Sequence, residues 1–207
     1  MIRYFVNSLI LLLLHCPGLL LGQEGENLPT GIEEGRYDKV YSLSEGLARV
    51  KLNGKFGYVN ALGKEIIPLI YDGASDFKEG MGKVVLNEKM GFVDLQGRIA
   101  VPTIYDQAWS FKEGLAVVQL NHRFGYVDTQ GNIVVPLKFD HAQSVSEGMA
   151  LVGLDGKSGF YDSSGALVVP LIYDRAYPFF KGKAQVEQEG LLFYINRQGD
   201  CVADCPQ

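Results

Sequence analysis

Residues 105–138 read YDQAWSFKEGLAVVQLNHRFGYVDTQGNIVVPLK. Leu115–Leu120 is a run rich in β-branched residues, which favours a strand. Phe124–Asp128 is a second such run, and Asn132–Pro136 opens a third that continues toward the next Phe-Asp. Asn121-His122-Arg123 and Thr129-Gln130-Gly131 are turn chemistry between them. The stretch predicts three short strands joined by tight turns. Ala74–Phe77 and its equivalents offer a fourth.

The same pattern recurs with a step of 34. Tyr37-Asp38 returns as Tyr71-Asp72, Tyr105-Asp106, Phe139-Asp140 and Tyr173-Asp174. Glu45-Gly46 returns as Glu79-Gly80, Glu113-Gly114 and Glu147-Gly148, then as Lys181-Gly182. Gly63, Gly97, Gly131, Gly165 and Gly199 keep the step, as do Pro68, Pro102, Pro136 and Pro170. Five units follow without insertion: 37–70, 71–104, 105–138, 139–172 and 173–206. A two-helix repeat can have this length, but two or more glycines per unit, usually with a proline, argue against helices. Hairpin signals such as Asn53-Gly54 and Asp155-Gly156 argue for strands. One unit cannot bury its own apolar face, so neighbours must stack. The fold class expected is all-β, an open solenoid-like array of five repeats. A closed five-bladed propeller is the alternative. The recurring glycines are expected at positive φ, and the Asp of Tyr-Asp in an Asx-type turn.

With the repeat laid out, each unit resembles the bacterial WG repeat. The matching stretches are Phe77-Lys-Glu-Gly-Met81, Phe111–Val118, Lys55-Phe-Gly-Tyr-Val-Asn60 and Arg123-Phe-Gly-Tyr-Val-Asp128. The motif tryptophan is replaced throughout, by Phe56, Met90, Phe124, Ser158 and Leu192, and in the fifth unit the motif glycine becomes Phe193. The resemblance implies an all-β interaction scaffold, often exported, without established catalytic chemistry.

Length and composition fit this reading. The chain has 207 residues, 47% of them hydrophobic, and a net charge of -5. An acidic chain has no general attraction for nucleic acid, so no nucleic-acid partner is expected. Glycine, at 25 residues, exceeds the ordinary share, as one turn-rich recipe copied five times requires. Residues 1–22 (MIRYFVNSLILLLLHCPGLLLG) have the layout of a signal peptide: Arg3, an apolar stretch, then Gly22 at the expected cut. A retained anchor and a lipoprotein through Cys16 are weaker readings. Residues 23–36 look like a flexible linker. The mature protein is expected to be periplasmic or extracellular, with no membrane span after cleavage.

No catalytic, metal or cofactor motif is present, and neither an enzyme nor a cofactor is expected. His122 and His141 fall at non-equivalent places in different units. Cys201 and Cys205 are too far apart to bridge in an extended strand, so a disulfide there requires a turn through Val202–Asp204. If the recurring residues are scaffold, binding falls to columns that vary. Positions 41/75/109/143/177 read Tyr, Ser, Trp, Gln, Tyr, and positions 39/73/107/141/175 read Lys, Gly, Gln, His, Arg. Tyr41, Trp109 and Tyr177 with Lys39, His141 and Arg175 are the candidate strip for a protein or envelope-polymer partner. The alternative role for Tyr41 and Trp109 is filling repeat interfaces. A carbohydrate-active hydrolase is the alternative function.

Overall fold

The computed structural model describes residues 27–206. The expected signal segment 1–22 and residues 23–26 of the linker lie outside the described residues. Twenty strands form five four-stranded antiparallel meanders, one per repeat. Sheet one holds β1 (Lys39–Ser44), β2 (Leu47–Leu52), β3 (Lys55–Asn60) and β4 (Glu65–Tyr71). Sheet two holds β5 (Gly73–Ala74), β6 (Met81–Leu86), β7 (Lys89–Asp94) and β8 (Ile99–Tyr105). Sheet three holds β9 (Gln107–Ala108), β10 (Leu115–Leu120), β11 (Arg123–Asp128) and β12 (Ile133–Phe139). Sheet four holds β13 (His141–Ala142), β14 (Met149–Leu154), β15 (Lys157–Asp162) and β16 (Leu167–Tyr173). Sheet five holds β17 (Arg175–Ala176), β18 (Ala184–Gln188), β19 (Leu191–Ile195) and β20 (Cys201–Ala203). The fourth strand is therefore real, but it covers only two residues in sheets two to five and lies just after the Tyr/Phe-Asp pair. The third strand of the sequence reading runs on to the next Tyr or Phe.

Turn chemistry sets the meander. Asn53-Gly54, Asn87-Glu88, Asn121-His122, Asp155-Gly156 and Glu189-Gly190 all take positive φ at both residues, as two-residue hairpins demand. Arg123, read as a turn residue, is the first residue of β11. The recurrent Glu-Gly pair is a second turn of this kind, with Glu79 at φ 52 and Gly80 at φ 76. The motif glycine answers a different demand. A Cβ on Gly125 would lie 2.5 Å from the carbonyl oxygen of Val135 on the adjoining strand, and Gly57, Gly91 and Gly159 face the same approach. In sheet five, β20 pairs at Cys201 and Ala203 and ends there, Asp204 turns at φ 54, and Phe193 occupies the glycine's place, buried.

The core lies between sheets. Val84 and Val93 of sheet two pack back onto Tyr58, Ile67 and Tyr71 of sheet one. Phe92, Val101 and Tyr105 pack forward onto Phe111, Val118 and Val127 of sheet three. The pattern repeats twice more along the chain. Edge-to-face ring pairs recur at this step: Tyr58 with Phe77, Phe92 with Phe111, Phe160 with Phe179. Among the described residues no cluster joins sheet five to sheet one, so the array is open.

Both ends are finished chemically. The back of sheet one, at Ala48, Val50 and Val59, is covered by Ile32 and Tyr37. Thr30 donates its N–H to the Ala61 carbonyl at 2.8 Å, and Leu43 donates to Asn27 at 2.6 Å. Residues 27–36, read as linker, thus lie against the first sheet. At the other end, the forward-facing column Leu47, Met81, Leu115, Met149 becomes Lys183, whose ammonium sits 4.4 Å over the Tyr194 ring. This makes part of the last repeat's outer face polar, while Phe180, Leu191 and Leu192 of the same repeat remain exposed.

Candidate functional site

Two sets of ionic contacts rivet each sheet to the next, and they account for the recurring acids. Asp72, of the Tyr-Asp pair, accepts the Asn87 N–H at 2.8 Å and the Lys55 ammonium of the preceding sheet at 2.5 Å. Lys89 to Asp106, Arg123 to Asp140 and Lys157 to Asp174 repeat the pairing. The backbone N–H comes from a hairpin fifteen residues away, so this Asp is not the local Asx turn expected. That turn belongs to the later acid or amide: Asp128 Oδ1 accepts the N–H groups of Gln130 and Asn132. The lysine hydrogen bonds, then the turn N–H, hold the Asp72, Asp106 and Asp174 carboxyls below the usual range.

The Glu of Glu-Gly forms the second rivet. Glu79 accepts the N–H of Glu113 at 2.8 Å and of Gly114 at 2.9 Å, one on each carboxylate oxygen. Glu45 and Glu113 do the same for the turns that follow them. Glu147 takes the Gly182 N–H at 2.8 Å and the Arg197 guanidinium at 3.3 Å, which together hold its carboxyl low. The next member is Lys181, which cannot accept a hydrogen bond.

With the recurring residues engaged in the frame, the varying columns define the candidate site. The six sequence-selected residues fall on different repeats and meet different surroundings. Tyr41 lies at the cleft between sheets one and two, where the Lys39 ammonium is 4.6 Å and the Arg49 guanidinium 3.8 Å from its ring. Trp109 lies at the cleft between sheets three and four, its ring 5.9 Å from Phe124 and 39% exposed. Phe124 stands at the motif tryptophan's position, so the chain's single Trp sits beside that place and not in it. Tyr177 is half exposed on sheet five. His141 is exposed, its ring lying across Gly153, where a Cβ at 153 would be. Arg175 reaches Glu187 at 3.7 Å. Cys201 and Cys205 are bridged, with Cα atoms 5.7 Å apart across the turn at Asp204.

The Trp109 cleft is an open place between two sheets. It encloses about 440 Å³, with Trp109, Lys112 and Val117 on the sheet-three side and Gln143, Ser144 and Ser146 on the sheet-four side. Pro178 of the fifth repeat closes its end. Sequence reasoning named Trp109 but passed over Val117. The signal was there in the column 49/83/117/151/185, which reads Arg, Lys, Val, Leu, Gln. In the first cleft Arg49 fills the corresponding space, donating to the Ala74 carbonyl and lying 3.4 Å from Asp76. In the second, Lys83 donates to the Ala108 carbonyl at 3.1 Å. Val117 reaches no such partner, and the space stays open. Among the described residues no three of His, Cys, Asp and Glu converge where a metal ion would sit.

Stacked four-stranded meanders riveted at a fixed step define a β-repeat scaffold. The WG containing repeat matches this chain five times, over residues 34–56, 56–89, 90–121, 124–157 and 159–191, and the chain belongs to that family. No curated protein sequence matches the chain. Among solved structures, one described as the eukaryotic initiation factor is similar at a TM-score of 0.50 and 10% identity, over 85% of this chain and 56% of that one. Hsv2 of Kluyveromyces lactis gives 0.41 and 10% identity, over 76% and 59%. The extracellular domain of a putative one component system of B. thetaiotaomicron gives 0.37 and 13%, over 81% and 30%. The chain thus spans less than two thirds of each of these chains, and at such identity the likeness concerns the fold alone.

Proposed function

We propose that this chain is an exported, non-enzymatic scaffold that binds a protein or envelope polymer at the Trp109 cleft. One observation carries the reading: the indole lines an open cleft in which Trp109, Val117 and Gln143 differ from the residues at the equivalent places of the first two clefts. An exposed aromatic flanked by hydroxyls, an amide and an ammonium suits recognition. Its lining holds no carboxylate, whereas glycoside hydrolysis needs a pair of them. Export is supported by the layout of residues 1–22 and by the Cys201–Cys205 bridge, a feature of oxidising compartments. Among the described residues no helix is long and apolar enough to cross a membrane.

The test is capture from an envelope extract with residues 23–207 as bait and Trp109→Ala as control. The reading expects a partner retained by the native bait and lost by the variant, with little change in melting temperature. A variant that melts well below the native protein, or that retains the partner, contradicts it.

A further inference from the structure

We infer that the Trp109 cleft is a socket for a guanidinium group, supplied by an arginine side chain of a protein partner. This rests on the reading of that cleft as the docking surface and deepens it. The chain carries its own template for the complex. In the first cleft the Arg49 guanidinium lies 3.8 Å from the Tyr41 ring centre and donates to the Ala74 carbonyl. The second cleft keeps the cation, as Lys83, on the equivalent carbonyl of Ala108. The third cleft keeps the aromatic ring and the carbonyl, loses the cation, and carries Ser144 where the first has Asp76 beside Arg49. Trp109 stands at Tyr41's position, Ala142 at Ala74's, and Val117 at Arg49's. The buried Tyr126 hydroxyl of sheet three is engaged with the Gln143 and Leu151 carbonyls. Among the described residues no side chain donates to the Ala142 carbonyl.

What is left is a carbonyl acceptor, the Ser144 hydroxyl, the lone pairs of the Ser146 hydroxyl, whose proton goes to the Phe179 carbonyl at 2.9 Å, and an indole, the strongest of the aromatic cation acceptors. Lys112 also lines the cleft, and its charge opposes a second cation. The second cleft shows that the frame tolerates this arrangement, because Lys78, at Lys112's position, coexists there with Lys83. The net charge of -5 favours approach of a basic partner. A planar fork of donors matches a carbonyl beside hydroxyls better than a single ammonium does.

Trp109 is the chain's only tryptophan, so its fluorescence reports on this cleft alone. The experiment titrates the native protein with the peptide acetyl-Gly-Arg-Gly-amide and with its neutral counterpart carrying citrulline. The expected result is a saturable change with the arginine peptide and binding weaker by roughly tenfold for citrulline, the scale of one desolvated cation–π contact. Val117→Arg, which restores the first-cleft template, is expected to stay folded by circular dichroism and to lose the response. Equal responses to the two peptides, or no saturable response in the native protein, overturn the socket whatever the variant does. If the Trp109→Ala bait has lost its partner but the arginine peptide does not bind, the docking surface stands and the guanidinium assignment falls. A response to neutral oligosaccharide alone would likewise overturn the assignment, in favour of a polymer.

Discussion

At Gly125 the absence of a side chain is a packing requirement. Its φ is ordinary, but β12 passes so close that a methyl group would meet the Val135 carbonyl oxygen at 2.5 Å. Gly125→Ala is therefore expected to cost about 1–3 kcal/mol in denaturant unfolding, as overpacking does. Phe193 explains why this demand was only half legible in sequence. Read along the column, a phenylalanine at the motif glycine looks like a broken repeat. Its acceptance depends on β20 ending at Ala203, a property of the partner strand that the local sequence does not state. Phe111 is the opposite case, a residue whose recurrence signals its role directly. It is fully buried against Phe92, with ring centres 4.8 Å apart. Phe111→Ala should cost about 3–5 kcal/mol by the same measurement.

Between neighbouring elements, the rivets make the array sensitive to acid. The carboxyls of Asp72, Asp106, Asp174 and Glu147 are depressed in the folded protein. A depressed folded pKa contributes stability above the unfolded carboxylate range, and this is lost as pH falls through the folded values. The melting temperature should accordingly be flat near neutrality and fall below about pH 4, where free carboxyls begin to protonate. A melting temperature unchanged down to pH 3 would contradict the rivets. The glutamate column gives a sharper contrast. Glu113→Lys removes an acceptor shared by two backbone N–H groups and should cost roughly 1 kcal/mol. Lys181→Glu offers an acceptor that no later turn among the described residues uses, and should leave the melting temperature nearly unchanged. The recurrence of Glu-Gly was plain in sequence, but its reach of 34 residues was not. A turn glutamate looks local until the stacking places the next turn's N–H groups on its carboxylate. The Cys201–Cys205 bridge pins the last strand's turn, and a thiol assay on the denatured protein should find neither sulfur free.

For the whole molecule, the step of 34 was enough to predict stacked β-units, because four markers kept register without insertion. Open against closed was not decidable from the step alone. It rests on what the end faces carry: Ile32 and Tyr37 over sheet one, and Lys181 and Lys183 in the fifth repeat where the earlier repeats have glutamate and Leu or Met. Those substitutions were visible in sequence, yet they gain meaning only once each column is assigned a face. The candidate site shows the same division. Trp109 stood out as the single tryptophan, whereas the cleft exists because Val117 is not an arginine, and an absence of that kind is read only against a folded template. An open array of nearest-neighbour units should tolerate loss of a whole internal unit. Removing residues 71–104 places sheet three on sheet one, with Lys55 meeting Asp106 and Glu45 meeting the 113–114 turn. The direct measurement is a circular-dichroism melt of that four-repeat protein. The open array predicts a folded β-rich chain with one cooperative transition at a lower temperature than the five-repeat parent. A chain that is unfolded or aggregated at room temperature would contradict it.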